Sequence, residues 1–175
     1  MREWEGDIWD RFGKSFIVVP TNIGWKLDKE GRIGANVMGR GVAAEASSPV
    51  PGLAKTYGEF CARFGKNTPV TFDLSTALVL FPTKALIDNP AMSWKNNSTL
   101  ECVEKSAYEL ASMSWMKREL VRREAEGDIP ELEDDDVYLP YVGCGNGGLP
   151  EDTVLPMLRD ILVADRFVLV RFRPF

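Results

Sequence analysis

Histidine is absent from this chain. Its absence removes the usual general base near neutral pH, the Ser-His-Asp and Cys-His nucleophile systems and most zinc sites. Any chemistry has to come from carboxylates, lysine, cysteine or positioned backbone groups. Cysteine is scarce too: Cys61, Cys102 and Cys144 cannot all pair and show no metal-ligand spacing. Cys61 and Cys102 sit in apolar helical patterns and read as buried filler. Cys144 lies inside a glycine-rich turn, where local N–H groups could activate a thiol or a small side chain could simply fit. No apolar run exceeds strand length, 77–81 being typical, whereas a membrane span needs about 20 residues. The charged start, MREWEGDIWD, lacks the apolar core of a signal peptide, so the expected setting is cytoplasmic. Positive charge is not in excess: 21 Lys and Arg face 26 Asp and Glu, a formal charge of −5. That argues against a broad nucleic-acid surface but not against a nucleotide, or a nucleic-acid end, held in one pocket. The acidic run 131–136 reads as a solvated loop rather than a metal site.

What is present fits one domain over residues 1–175, with 45% hydrophobic and 27% charged residues. Phe16-Ile17-Val18-Val19 reads as a strand ended by Pro20, which delivers Thr21 and Asn22. Gly39-Arg40-Gly41 opens a helical segment at 42–46, and Pro49, Pro51 and Gly52 interrupt it. Helical spacing resumes over 53–64, with Leu53, Tyr57, Phe60 and Cys61 on one face. Residues 68–72 form a short strand or bend, and 77–81 a buried strand that presents Thr83 and Lys84. Ser98, with Glu101 three residues later, has the offset of an N-cap for a long helix over 100–126. A strand over 137–142, a helix over 152–163 and a strand over 167–170 complete the order. Apolar strands alternating with helices predict a mostly parallel sheet covered on both faces.

The most informative stretch is 138–160. There an apolar strand breaks into a turn carrying Gly143, Gly145, Gly147 and Gly148, with a helix behind it. Glycines let the backbone approach a ligand closely, and the exposed N–H groups of such a turn form a cradle for phosphate. Neither this turn nor Gly39-Arg40-Gly41 has the spacing of the dinucleotide fold or of a P-loop.

In order along the chain, Gly6-Asp7-Ile8, Val19-Pro20-Thr21-Asn22, 37–43 (VMGRGVA), Phe81-Pro82-Thr83-Lys84 followed by Trp94 and Ser98, and 139–149 (LPYVGCGNGGL) resemble the motifs of macrodomains, the modules that bind ADP-ribose. The resemblance covers nearly the whole chain. It implies a three-layer α/β/α fold with a mixed, mostly parallel sheet, no cofactor or metal, and ADP-ribose or an ADP-ribosylated macromolecule as partner; no heptad or exposed apolar strand suggests an obligate dimer, so a monomer is expected. FPTK and GRGVA are similar to the branch that includes the terminal ADP-ribose protein glycohydrolase and the antitoxins that remove ADP-ribose from DNA. On that resemblance Asp7 would accept the adenine amine, the Ile8 N–H would reach the ring, and Trp9 would cover the base or serve as core. Asn22 would hold the distal ribose. Gly39, Arg40, Gly41 and Val42 would pass the diphosphate on one side, with Gly143, Cys144, Gly145, Asn146, Gly147 and Gly148 on the other. Trp25 would wall the pocket or cover the surface. Lys84 matches the lysine implicated in catalysis, with Asn22 beside it. Gly147 stands where the protein-directed enzyme has an aspartate. Three activities remain open: a glycohydrolase acting on protein or nucleic acid, a phosphatase for ADP-ribose 1''-phosphate, and a reader that binds without turnover. Glu45 and Asp73 are the possible acids.

Overall fold

A computed structural model describes residues 1–73, 75–85, 97–113 and 132–172. Six strands form one sheet: β1 (Arg2–Glu5), β2 (Phe16–Ile23), β3 (Thr71–Asp73), β4 (Leu78–Ala85), β5 (Val137–Leu139) and β6 (Phe167–Arg171). Their order is β1-β6-β5-β2-β4-β3, and only β3 runs antiparallel to its neighbour. Among the described residues four α-helices accompany them: α1 (Gly41–Ala46), α2 (Leu53–Phe64), α3 (Leu100–Ser112) and α4 (Glu151–Ile161). The sheet is thus mixed and mostly parallel, inside an α/β/α sandwich.

The unbroken apolar strands are explained by two cores, one on each face. Phe16, Val18, Val79, Phe81, Leu139 and Leu169 pack with Val103, Ala107 and Leu110 of α3 and with Val154 and Leu158 of α4. Ile17, Val19, Leu78, Leu80, Val168 and Val170 pack with Ala46, Leu53, Tyr57 and Cys61 on the α1–α2 side. Odd and even positions of each central strand therefore go to opposite layers, both dry. Cys61 is fully buried, as filler.

Several local expectations change. Pro20 does not end β2, which runs on to Ile23. Phe16 N–H donates to Asp136 O on the β5 side, and Ile17 N–H to Ala77 O on the β4 side. Alternation puts the Pro20 nitrogen on the β5 side, where the ladder has already stopped at Ile17↔Tyr138, so its missing N–H costs no ladder bond. Strand β5 ends at Leu139 rather than 142, because Pro140 and a turn follow it. Thr99, not Ser98, caps α3, accepting from Cys102 N–H at 3.2 Å. Trp25 packs partly buried against the α1–α2 core. The acidic run lies in a loop, as expected, with Glu133 and Asp135 exposed, and it is also ion-paired: Arg11 reaches Asp134 at 2.6 Å and Arg2 reaches Asp136 at 2.5 Å. Trp94, Glu131 and the expected helix beyond 113 lie outside the described residues. No helix among the described residues is long and apolar enough to cross a membrane.

Candidate functional site

The sheet order reverses between β2 and β5, since β2 leads to β4 on one side while the chain returns to β5 on the other. Open α/β sheets leave a crevice at the carboxyl ends of strands at such a point. Here β5 stops at Leu139 while β2 continues six residues past its last pairing with β5, Ile17 to Ile23. The gap is the candidate site. A cavity of about 160 Å3 is lined by Pro20 on one bank and Pro140 on the other, with Thr83, Lys84 and Ser98 at one end. A smaller hollow of about 50 Å3 shares Pro20, Arg40, Ala43, Lys84 and Asn146 with it and adds Asn22 and Gly39. At the other end Gly41, Val42 and Pro140 lead into a cleft of about 460 Å3 bounded by Asp7, Ile8, Trp9, Glu45 and Phe172. The crevice therefore runs from the Asp7 segment to Lys84.

At the wide end Asp7 caps the 3-10 turn Ile8–Arg11, its Oδ1 accepting from Trp9 N–H at 3.0 Å. One carboxylate oxygen is thus committed locally. Trp9 donates its Nε1 proton to Glu45 Oε2 at 2.6 Å, which fixes the indole at the edge of the cleft. Phe172, 65% exposed, brings a second aromatic ring to the same cleft. Motif reading missed Phe172, although its place at the carboxyl end of β6 was the available signal.

Two loops form the middle. The first arrives at α1 through Arg40, whose exposed residue lines both cavities at the Lys84 end. The second closes on itself, Leu149 N–H donating to Gly143 O at 3.0 Å and Gly147 N–H to Cys144 O at 2.9 Å. The loops nearly meet, since a Cβ at Gly41 would lie 3.7 Å from Asn146 Nδ2. Gly143 has φ +78° and no room for a side chain: a Cβ would come within 2.9 Å of both Leu149 Cδ1 and Val103 Cγ2. Gly143, Cys144, Asn146 and Gly147 line the crevice; Gly145 lines an adjoining hollow that shares Pro140, Tyr141 and Cys144 with it, and Gly148, in the left-handed region, closes the turn. Cys144 is buried, and burial, helped by Glu151, pushes its thiol up to about 11. It is a packing group rather than an activated nucleophile.

At the narrow end the β2–β4 register slips, Thr21 facing Pro82 and Asn22 facing Lys84, so Thr83 is the extra residue of a bulge. Bulges re-aim side chains next to sites. Burial lowers the Lys84 pKa from the ordinary lysine value, because the ammonium loses solvent there. Asn22 is buried and tied to the first loop: its Nδ2 donates to Val37 O at 2.8 Å, and Asn36 donates to its Oδ1 at 3.1 Å. Thr83 and Ser98 complete this end. Ser98 N–H donates to Gly147 O at 3.1 Å, and its Oγ stands where a Cβ on Gly147 would need to be, 2.4 Å away. Among the described residues no carboxylate lines the two cavities that contain Lys84. Glu45 belongs to the far cleft and Asp73 holds Ser75 on the edge strand.

No protein-family model and no curated sequence matches the chain. Solved structures do. The macrodomain of Thermus aquaticus DarG aligns with TM-score 0.65 at 20% identity, over 99% of this chain and 97% of that one. The macrodomain of Mycobacterium tuberculosis DarG aligns with TM-score 0.63 at 22% identity, over 99% and 97%. Thermosipho africanus DarTG, solved in complex with ADP-ribose, aligns with TM-score 0.62 at 21% identity; this chain covers 42% of that longer one. The likeness is one of fold, and this chain has the fold of a macrodomain, similar to that of the DarG macrodomains.

Proposed function

We propose that this chain binds ADP-ribose along the crevice and hydrolyses an ADP-ribosyl linkage on protein or nucleic acid, with Lys84 as the catalytic residue. The observation that carries the reading is one continuous crevice with a cleft at Asp7–Trp9 large enough for a base, two backbone loops in the middle and a half-buried lysine at the narrow end. The Asp7 oxygen not used by Trp9 accepts the adenine amine, and Trp9 and Phe172 flank the ring. Loop N–H groups around Gly41 and Asn146 supply the positive field for the diphosphate, so affinity is expected to survive EDTA. The distal ribose then lies between Asn22 and Lys84. That DarTG was solved with ADP-ribose supports the choice of ligand.

An amine can attack only when neutral, and burial raises the neutral fraction of Lys84. Nζ attacks C1'' of the distal ribose as the bond from C1'' to the modified group breaks, that group leaving with the electron pair and taking the proton released by Nζ. Water then adds at C1'', one of its protons passing to Nζ as the C1''–Nζ bond breaks, which regenerates the lysine amine. No carboxylate among the described residues lines this end; in this reading Lys84 is the nucleophile, and the proton it releases goes to the leaving group. The same lack favours a second reading, a reader that binds without turnover.

Calorimetric titration with ADP-ribose, on wild type and Lys84→Ala, is the test, with turnover then measured on ADP-ribosylated protein, ADP-ribosylated nucleic acid and ADP-ribose 1''-phosphate. Binding by both proteins with turnover by wild type alone is expected. Turnover of the 1''-phosphate only would make the protein a phosphatase, and binding without turnover would make it a reader. No binding by wild type would overturn the assignment.

A further inference from the structure

Four hydroxyls, those of Tyr57, Thr21, Thr83 and Ser98, form two hydrogen-bonded groups by the Lys84 end of the crevice. Tyr57 OH and Thr21 Oγ1 lie 2.9 Å apart in the core. Thr83 Oγ1 donates to the Thr21 carbonyl at 3.1 Å, and Ser98 Oγ donates to Thr83 Oγ1 at 3.4 Å. A hydroxyl has one proton and two lone pairs. The Thr83 proton is committed to a carbonyl, which can only accept, so Thr83 offers Ser98 nothing but lone pairs. The 3.4 Å contact is long, and Thr83 can meet it only as an acceptor, so a Ser98 proton spent there leaves Ser98 its lone pairs. What Ser98 presents upward, into the cavity it shares with Lys84, is acceptor capacity.

Backbone contacts hold Ser98 in place. Its N–H is bonded to Gly147 O, and the next residue, Thr99, bonds to Thr83 O at 3.1 Å. Gly147 has no side chain to spare for this spot, since its Cβ would lie 2.4 Å from Ser98 Oγ and 3.0 Å from Ser98 Cβ. The second loop thus leaves the space, and Ser98 fills it with a polar atom that is buried yet lines the cavity.

Resting on the ADP-ribose reading above, we infer that Ser98 is a specificity-determining residue whose Oγ accepts a hydrogen bond from the 2''-hydroxyl of the distal ribose. That hydroxyl is vicinal to the carbon facing Lys84, and it is a donor, which the polarity of the Thr21–Thr83–Ser98 chain demands. Ligands that lack it, or carry an acyl group on it, leave a buried acceptor unpaired and are disfavoured.

The test is a binding cycle by calorimetry with two ligands, ADP-ribose and 2''-deoxy-ADP-ribose, and two proteins, wild type and Ser98→Ala, each checked by thermal melting. Wild type is expected to prefer ADP-ribose about 5-fold, from a neutral hydrogen bond of about 1 kcal/mol, and Ser98→Ala to bind both alike. Gly147→Ala, which pushes the Ser98 side chain aside, is expected to lose the same preference. A wild-type protein that binds both ligands equally, or a Ser98→Ala protein that keeps the wild-type ratio, would overturn the inference while leaving ADP-ribose binding intact. Failure of wild type to bind either ligand would remove the ADP-ribose reading itself, and this one with it. The ligand-side comparison in wild type stands even where a variant folds poorly.

Discussion

Lys84 pays for its position in stability, and the sign of that effect can be worked out. Its folded pKa lies below the ordinary lysine value because burial penalises the ammonium. Between the folded and unfolded values the unfolded chain binds more protons, so stability rises with pH across that window, and the full penalty applies below the folded pKa. Lys84→Met is therefore expected to melt higher than wild type at pH 7, with the difference shrinking as pH approaches about 10. A difference that stays constant between pH 7 and pH 10 would mean the ammonium is not penalised. For turnover the same shift predicts a rate that climbs with pH and levels off before the ordinary lysine range. Cys144 moves the other way: with its thiol pushed up to about 11, almost none is thiolate at pH 8. Iodoacetamide is expected to modify the native protein at Cys144 far more slowly than a free thiol, as mass spectrometry would show, and Cys144→Ala is expected to keep its turnover. Sequence placed this cysteine in the glycine turn but left activation and simple fit both open. Only burial separates them, and burial is set by residues far along the chain.

At the scale of elements, α3 and the second loop show where local signals reach and where they stop. A Ser-Thr pair precedes α3, and either hydroxyl has suitable chemistry for a cap. Thr99 takes the role, which frees Ser98 to face Gly147 and Thr83. Thr99→Ala is expected to cost about 1 kcal/mol of unfolding free energy. Gly143→Ala should cost more, about 2 kcal/mol, because it combines a left-handed φ with two 2.9 Å contacts in the core. Denaturant titration of both variants checks the order, and a Gly143→Ala protein as stable as wild type would show that the turn can rearrange. The central strands were legible because each is apolar on both faces. Their ends were not. Pro20 reads as a terminator, yet it falls on the side of β2 that has no partner left, a fact about β5 rather than about the local sequence. Lys84 was found from its motif, but the bulge that sets it opposite Asn22 has no signature in either strand.

Taken whole, the molecule places its site by topology. The sheet reverses between β2 and β5, the short β5 leaves the gap, and motifs far apart in the sequence meet across it, Gly41 lying against Asn146. The order of the motifs was readable, whereas their meeting depends on strand lengths and register. The acidic run shows the same limit: its charges read as solvated, but Asp134 and Asp136 serve Arg11 and Arg2 at the start of the chain. Because the proposed ligand touches the Asp7 turn, both loops, β2 and β4, its binding should stabilise the molecule as a unit rather than one segment. A ligand present at 100 times its dissociation constant adds about 2.7 kcal/mol, or about 5–10 °C for a domain of this size. AMP fills only the Asp7–Trp9 cleft and the start of the loops, so at equal concentration it is expected to give a clearly smaller shift than ADP-ribose. Thermal melting with the two ligands, repeated on Asp7→Ala, decides whether the crevice acts as one site. Loss of both shifts in Asp7→Ala, with the ADP-ribose shift larger in wild type, is the expected pattern. Equal shifts from AMP and ADP-ribose in wild type would mean that the Lys84 end contributes no binding, and the ligand would then have to be a smaller nucleotide held at the wide cleft alone.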